Sequence, residues 1–234
     1  MAGDWLLVET LGREPAVVAL GRQLRNLVPM TVFLRRNPRL AAIQSAIAES
    51  LQTSQSLVSM TLKNDRVIRT EPVLMSDGRI HGVHIWSGPA RAEPPERPIP
   101  GPLKWNMTLG VATDTAESLA NIGWNLEIED PDGRAFAEIW PSGDLKRNES
   151  KALAAAVKSQ PGHTLCDTWD GTDWQGNHIR VSFVARKALE PGPDGRDHVI
   201  ARGMNWRAEL ADPAQPTDRL AQQILHGLAQ PGVY

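Results

Sequence analysis

The sequence predicts an α+β protein of two domains, each a curled antiparallel sheet with flanking helices. Three observations predict it: a proline-rich boundary near the middle of the chain, a similar order of strands and helices on either side, and a turn motif that occurs once in each half. The 234 residues are enough for two domains of ordinary size.

The boundary is the stretch from Pro89 to Pro102, which is rich in proline among Ala, Arg, Glu and Gly. Proline fixes φ and lacks a backbone N–H, so this stretch can join neither a helix nor a central strand. We expect it to run extended as a semi-rigid spacer. The sequence therefore predicts a first domain over residues 1–88, a linker over 89–102, a second domain over 103–212 and a C-terminal connector helix over 213–234.

In the first half, two strands, a helix and three more strands are predicted. Short apolar runs indicate strands at Trp5–Glu9 and Ala16–Leu20. Apolar residues at helical spacing predict a helix over Arg39–Leu51. The remaining strands are expected at Leu57–Leu62, Val67–Met75 and Ile80–Trp86, with an Asp-Gly turn at Asp77 before the last one.

The second half repeats this plan. Strands are predicted at Trp105–Leu109, Gly110–Thr113, Ile179–Ala185 and Val199–Trp206, and helices up to Leu119, over Asn148–Val157 and over Asp218–Ala229. The motif DGRxH occurs as Asp77–His81 and as Asp194–His198, and each copy opens a strand that runs to a tryptophan. Two copies in equivalent places indicate a duplicated fold.

Composition narrows the function classes. The net charge of −2 gives no reason to expect nucleic acid or an anionic membrane as a partner, and no basic recognition helix is present. The N-terminus lacks a basic segment followed by a long apolar core, so neither a secretory signal nor a membrane span is expected. The cytoplasm is the expected compartment. The one cysteine, Cys166, cannot form an internal disulfide.

No sequence pattern points to a metal, a cofactor or a catalytic centre, so we predict a protein that is not an enzyme. His81 and His84 lie three apart on a predicted strand, where they should face opposite sides. The aspartates in CDTWDGTDW lack the calcium-loop pattern, and a hairpin turn at Asp170–Asp173 explains them more simply. An enzyme acting through Asp167–Asp173 or Cys166 stays open as a third possibility.

Aromatic residues supply the candidate ligand site. There are eight tryptophans against one tyrosine and three phenylalanines, and most of the tryptophans follow the linker. Large rigid rings suit an apolar ligand cavity or an interface, although they can equally fill a core. The candidate ligand-binding residues are Trp105, Trp124, Cys166, Trp169 and Trp174.

A strand pair, helices and a three-strand run are the element order of PAS domains and, with longer helices, of GAF domains. Long segments of the chain also resemble an actinobacterial, chiefly mycobacterial, family of conserved proteins. The matching segments are DWLLVETLG, EPAVVALGRQL, TVFLRRNPRLAAIQSAIAES, DRVIRTEPVLMSDGRIHGV, PPERPIPGPLKW, GRAFAE, TLCDTWD, GRDHVIARGMNWRAE and LAQPGV.

The resemblance implies a PAS-type N-terminal domain, a GAF- or PAS-like middle domain and a further C-terminal PAS-like domain, in proteins described as sensory or regulatory. The family continues past the segment matching Leu228–Val233, whereas this chain stops at Tyr234, so a further domain is expected to be absent from it. The first hypothesis is a signalling protein that binds a small apolar ligand or an unidentified protein partner, with a homodimer as a further expectation. The alternative is a degenerate scaffold that dimerises without a ligand.

Overall fold

The computed structural model describes residues 3–60, 65–135 and 160–210. Within these ranges strand residues outnumber helical residues more than threefold, so the regular structure is mostly β rather than an even mixture of helix and strand. The helices predicted over Asn148–Val157 and Asp218–Ala229 lie outside the described residues, as does Trp140.

The first sheet has six antiparallel strands in the order β3-β2-β1-β6-β5-β4. The first strand of the chain therefore lies beside the last strand of its own sheet. The strands are β1 (Leu6–Glu9), β2 (Ala16–Leu20), β3 (Gln23–Pro29), β4 (Leu57–Met60), β5 (Arg66–Leu74) and β6 (Ile80–Pro89).

Two helices, α1 (Met30–Phe33) and α2 (Leu40–Thr53), connect β3 to β4. Helix α2 buries Ile43 and Ile47 on one face of the sheet, in a cluster with Val8 and Val83. The predicted helical periodicity is confirmed by this packing, because the buried residues recur once per turn. The helix ends at Thr53, and the N–H of the following Ser54 still bonds the Ser50 carbonyl. Ser54 has a left-handed φ of 55°, which turns the chain away from the helical path.

The second sheet repeats the topology of the first, with the order β10-β11-β12-β7-β8-β9. Its first strand, β7, again lies beside its last, β12. Its elements are β7 (Gly101–Asn106), β8 (Val111–Asp114), α3 (Ala116–Ile122), β9 (Arg134–Ala135), β10 (Thr164–Thr172), β11 (His178–Pro191) and β12 (Asp197–Arg207). The two Asp-Gly turns occupy the same place in both sheets, between the fifth and sixth strands.

The two sheets pack face to face, and this contact was not predicted. Leu7 and Val18 of the first sheet form one buried cluster with Val184, Met204 and Trp206 of the second. In the first sheet this cluster lies on the face opposite α2, so that sheet is covered on both sides. Burying both faces explains why its strands are apolar almost throughout rather than alternating.

The proline-rich segment between the sheets has no regular secondary structure over residues 91–100 and packs on the protein instead of spanning free solvent. Its Pro95 carbonyl accepts a hydrogen bond of 3.0 Å from the indole of Trp5. Ala92 packs against Val67 and Trp86 of the first sheet and against Trp5, which precedes β1. We call residues 90–100 the strap.

Candidate functional site

The first domain carries an open cleft of about 200 Å³ between α2 and the start of β2. Its walls are mostly apolar, and Met30 and Ile47 within it are also part of the buried core. The lining residues are Glu14, Pro15, Met30, Thr31, Gln44, Ile47, Ala48 and Leu51.

One side of this cleft is polar. The Thr31 hydroxyl donates a hydrogen bond of 2.8 Å to the Glu14 carboxylate, which fixes one carboxylate oxygen. A small apolar molecule with a single hydrogen-bond donor would match an apolar wall beside a carboxylate. This cleft was not predicted, because its residues come from a turn, α1 and α2.

The candidate tryptophans of the second domain lie in different environments. The Trp169 ring packs on Phe183 with ring centroids 4.8 Å apart. The guanidinium of Arg134 lies 4.3 Å from the centre of the Trp124 ring. Trp105 is half-buried on β7. Trp174 is 60% exposed in the hairpin after β10. Its backbone N–H donates a hydrogen bond to the Gly123 carbonyl.

That hairpin turn lies three residues later than predicted, because β10 continues through Thr172. Asp173 makes the turn by accepting hydrogen bonds from the backbone N–H groups of Gln175 and Asn177. Asp170 instead lies on the strand, 3.7 Å from Arg180. Among the described residues, no three His, Cys, Asp or Glu side chains lie close enough to hold a metal ion.

Cys166, the fifth candidate, packs against the cluster between the two sheets. Its thiol lies 3.9 Å from the Arg25 carbonyl on β3. Burial, with a further contribution from Asp167, raises the pKa of this thiol to about 11. Because the thiolate is the nucleophile, this position makes Cys166 a packing residue at neutral pH.

A buried polar cluster joins α3 to the strands around it. Asp114 accepts a hydrogen bond of 2.8 Å from the Ser118 hydroxyl and pairs with Arg134. Asn205 donates to the Ser118 carbonyl, and Asn121 donates to Asn205. Burial raises the pKa of Asp114, although Ser118 and Arg134 oppose the shift. The cluster fixes α3 on the second sheet.

Arg202 of β12 is the centre of an ionic network between the domains. Its guanidinium contacts Asp77 of the first domain at 2.8 Å and Glu190 of β11 at 2.9 Å. Arg79 of the first domain also reaches Glu190, at 2.7 Å, and Lys104 lies 3.4 Å from Asp77. The first DGRxH motif is therefore a contact between the domains, because both its aspartate and its arginine bind the second domain.

The two carboxylates of this network, Asp77 and Glu190, have pKa values below their usual range. Burial raises the pKa of Asp77, but hydrogen bonds from Arg202 and from the Arg79 backbone outweigh it, so the pKa lies below its usual value. The same balance between burial and Arg202 lowers the pKa of Glu190. Both side chains are therefore ionised at neutral pH and hold Arg202 as ion pairs.

A second ionic contact joins Glu9 of β1 to Arg186 of β11, at 3.1 Å. Glu9 is 1% exposed, and it also accepts a hydrogen bond from the Leu11 backbone N–H. Sequence analysis missed Glu9, Arg186 and Arg202. Glu9 carried a signal, a charged residue on an otherwise apolar strand, which marks a buried partner of opposite charge. Arg186 and Arg202 carried none, because β11 and β12 contain several other charged residues.

His81 and His84 lie on the same face of the first sheet, so the expectation that they face opposite sides is wrong. The register between β5 and β6 shifts next to His81, as in a β-bulge, and this shift turns His81 towards the second domain. There its Nδ1 lies 2.8 Å from the Gly203 carbonyl. His84 pairs with Leu7, which lies in the cluster between the sheets.

In the described ranges, no helix is both long and apolar enough to cross a membrane.

Comparisons with known proteins give the chain its relatives. The family model described as "Rv3651-like, N-terminal" matches residues 4–96, and the model described as "Rv3651-like, middle domain" matches residues 99–208. A crystal structure of an uncharacterized protein from Mycobacterium tuberculosis is 67% identical, with a TM-score of 0.84, over 98% of this chain and 69% of that chain. No curated protein matches.

Two sensory proteins of known structure are far more distant. A sensory box histidine kinase/response regulator from Burkholderia thailandensis is 18% identical with a TM-score of 0.32, over 55% of this chain and 91% of that chain. An RNA-binding light-oxygen-voltage receptor is 8% identical with a TM-score of 0.34, over 97% and 100%. Scores this low carry no argument about this chain.

Proposed function

The chain belongs to the Rv3651-like family, which confirms the expected kinship with mycobacterial proteins, and we propose that it is a non-enzymatic sensory or regulatory protein with two PAS-like domains. The observation that carries the proposal is the strand order of the two sheets. In both, the first three strands lie on one side of the sheet and the last three on the other, the first strand pairs with the last, and a helix precedes the last three strands. A PAS domain likewise places its first strand beside its last, with helices before a returning three-strand run.

The packing of the domains supports a role in transmission. Because the sheets share one apolar cluster and two ionic contacts, a change in the shape of one sheet must be accommodated by the other. A ligand acts on such a pair only if it binds two arrangements with different affinities. The face-to-face contact supplies the element whose arrangement a ligand could change.

We propose the cleft beside α2 as the place where a small apolar ligand binds. It has apolar walls, an opening to solvent and one carboxylate at Glu14 that can accept a hydrogen bond. Indole and 1-hexanol are suitable probes, because each is small and apolar with one donor. The tryptophans of the second domain remain the other candidate site.

The test is an NMR titration of the protein with indole and with 1-hexanol, following the backbone amides of α2. Ala48→Leu narrows the cleft, whereas Ala42→Leu makes the same change at an exposed position of α2 outside the lining. We expect wild type and Ala42→Leu to bind and Ala48→Leu to lose at least tenfold in affinity. Binding that survives Ala48→Leu contradicts the cleft, and no binding of either probe contradicts ligand sensing.

A dimerising scaffold without a ligand is the second candidate, and the edge strand β4 favours it. In the described residues β4 pairs with β5 alone, and Val58 and Met60 are 62% and 58% exposed. Apolar side chains on an unpaired edge strand favour association with another chain. Light scattering after size-exclusion chromatography tests this candidate. The wild type should be a dimer and Val58→Lys a monomer, whereas a monomeric wild type would contradict the scaffold.

A further inference from the structure

His84 is buried against Trp5, the residue that the strap contacts, without the hydrogen bonds that an imidazole normally makes. It is 1% exposed, and in the described part of the chain neither ring nitrogen has a hydrogen-bond partner. Its ring packs on Trp5, with ring centroids 5.6 Å apart. Burying polar atoms without partners costs free energy, so exposing the His84 ring to water would recover part of that cost.

The strap is attached to the sheet next to this histidine. The Trp5 indole that packs on His84 is also the group that donates to the Pro95 carbonyl, at 3.0 Å. Arg97 follows two residues later, and its guanidinium lies 5.8 Å from the centre of the Trp5 ring. Trp5 therefore touches His84 and the strap at once.

The closed strap tolerates only a neutral imidazole. Burial lowers the pKa of His84 to about 3, and the positive charge of Arg97 contributes to the shift. On β5, Glu71 pairs directly with His84 and Arg69 lies diagonally from it, while Leu7 on β1 brings no charge. Glu71 accepts a hydrogen bond from the Ser56 hydroxyl. A protonated His84 would therefore be destabilised by its burial away from water and by the nearby positive charge of Arg97.

We propose that the strap is an acid-released cover, in which protonation of His84 favours the arrangement where the segment around Pro95 leaves the first sheet. Lifting this segment exposes the imidazole to water and removes Arg97 from its neighbourhood. The inference goes beyond the proposed function because the input is a proton rather than an apolar ligand, and it does not depend on the cleft.

The two protonation equilibria fix the size of the effect. In the closed arrangement His84 titrates at about 3, and a solvated imidazole titrates at about 6.5. As the pH falls below about 6.5, His84 is therefore protonated in the open arrangement. In the closed arrangement it is protonated only near pH 3. From pH 7.5 to pH 5.0 the ratio of open to closed strap should rise about 30-fold.

The Trp5 indole N–H reports this opening directly, because its hydrogen bond to Pro95 breaks when the strap lifts. The measurement is its hydrogen-exchange protection by NMR, relative to free indole at the same pH. We expect the protection in wild type to fall about 30-fold between pH 7.5 and pH 5.0. The Trp206 indole, which donates to the Arg22 carbonyl at 3.4 Å, is the reference for opening of the interface between the sheets, and it should stay better protected than the Trp5 indole at both pH values.

Two variants remove the titrating group. His84→Phe keeps an aromatic ring and His84→Gln keeps a polar side chain, and Trp206 protection at pH 7.5 shows which of them is folded. In a folded variant the Trp5 protection should change less than threefold over the same pH range. The proposal is overturned if the variants lose as much protection as wild type, or if wild-type protection stays constant while His84 titrates near 6.5.

Discussion

The carboxylate of Asp77, on the turn between β5 and β6, lies 2.8 Å from the guanidinium of Arg202 on β12. This contact joins a turn of the first domain to the last strand of the second. Arg202 also binds Glu190 through Nε and Nη2, each at 2.9 Å, so it neutralises one carboxylate from each domain. The equivalent turn in the second domain has a different role, because Asp194 bonds His198 within its own hairpin.

Replacing Arg202 should destabilise both domains together. Arg202→Leu leaves the carboxylates of Asp77 and Glu190 facing each other without their common cation. Because these carboxylates are partly solvated, we expect a loss of about 2–3 kcal/mol, below that for a fully buried pair. Urea unfolding gives the free energy. Arg196→Leu is the control, since Arg196 is exposed on the second turn, and a loss as large as that of Arg202→Leu would contradict the network.

His81 should make the protein sensitive to acid. Burial, chiefly, lowers the pKa of His81 to about 4, so the folded state holds the neutral ring. A lowered folded-state pKa means that stability is full above about pH 6.5 and is lost as the pH falls towards 4.

The variant His81→Asn keeps a donor for the Gly203 carbonyl but cannot titrate. Between pH 7.5 and pH 5.0 the wild type should lose about 2 kcal/mol more of its unfolding free energy than His81→Asn does. The measurement is urea unfolding at both pH values. Equal losses would show that His81 is not buried as described.

Two Asp–Arg pairs of the second domain provide a matched comparison. Asp114 and Arg134 are both buried, whereas Asp170 is 49% exposed beside Arg180. Asp114→Ala strands a buried guanidinium and should cost about 3–5 kcal/mol. Asp170→Ala removes a solvated pair and should cost less than about 1 kcal/mol. Thermal and urea unfolding measure both, and similar costs would contradict the burial of Asp114.

Local patterns predicted the elements well where the side chains themselves decide the structure. The periodicity from Arg39 to Leu51 is confirmed as α2 (Leu40–Thr53), and the two Asp-Gly turns lie where expected. β3 was missed because its seven residues are mostly polar or half-exposed, so neither an apolar run nor alternation marks it. It is a strand because its backbone pairs with β2 at the edge of the sheet.

The contact between the sheets could not be predicted from the sequence, for a physical reason. It joins side chains far apart in the chain, such as Glu9 and Arg186, and no local spacing encodes that pairing. The ionic contacts between the sheets were missed for the same reason, because Arg186 and Arg202 lie among other charged residues on their strands. The predicted ligand site at the tryptophans stays a prediction, and one of them, Trp174, is largely exposed.

The two sheets stabilise each other through one interface, and a substitution at Met204 tests this most directly. Met204 belongs to the second sheet, is fully buried and packs in the cluster with Leu7 and Val18. Met204→Lys places a charge in that cluster. The measurement is hydrogen exchange of the backbone amides of β1 and β2 in wild type and variant. We expect exchange there to accelerate at least tenfold; acceleration confined to β11 and β12 would contradict the shared interface.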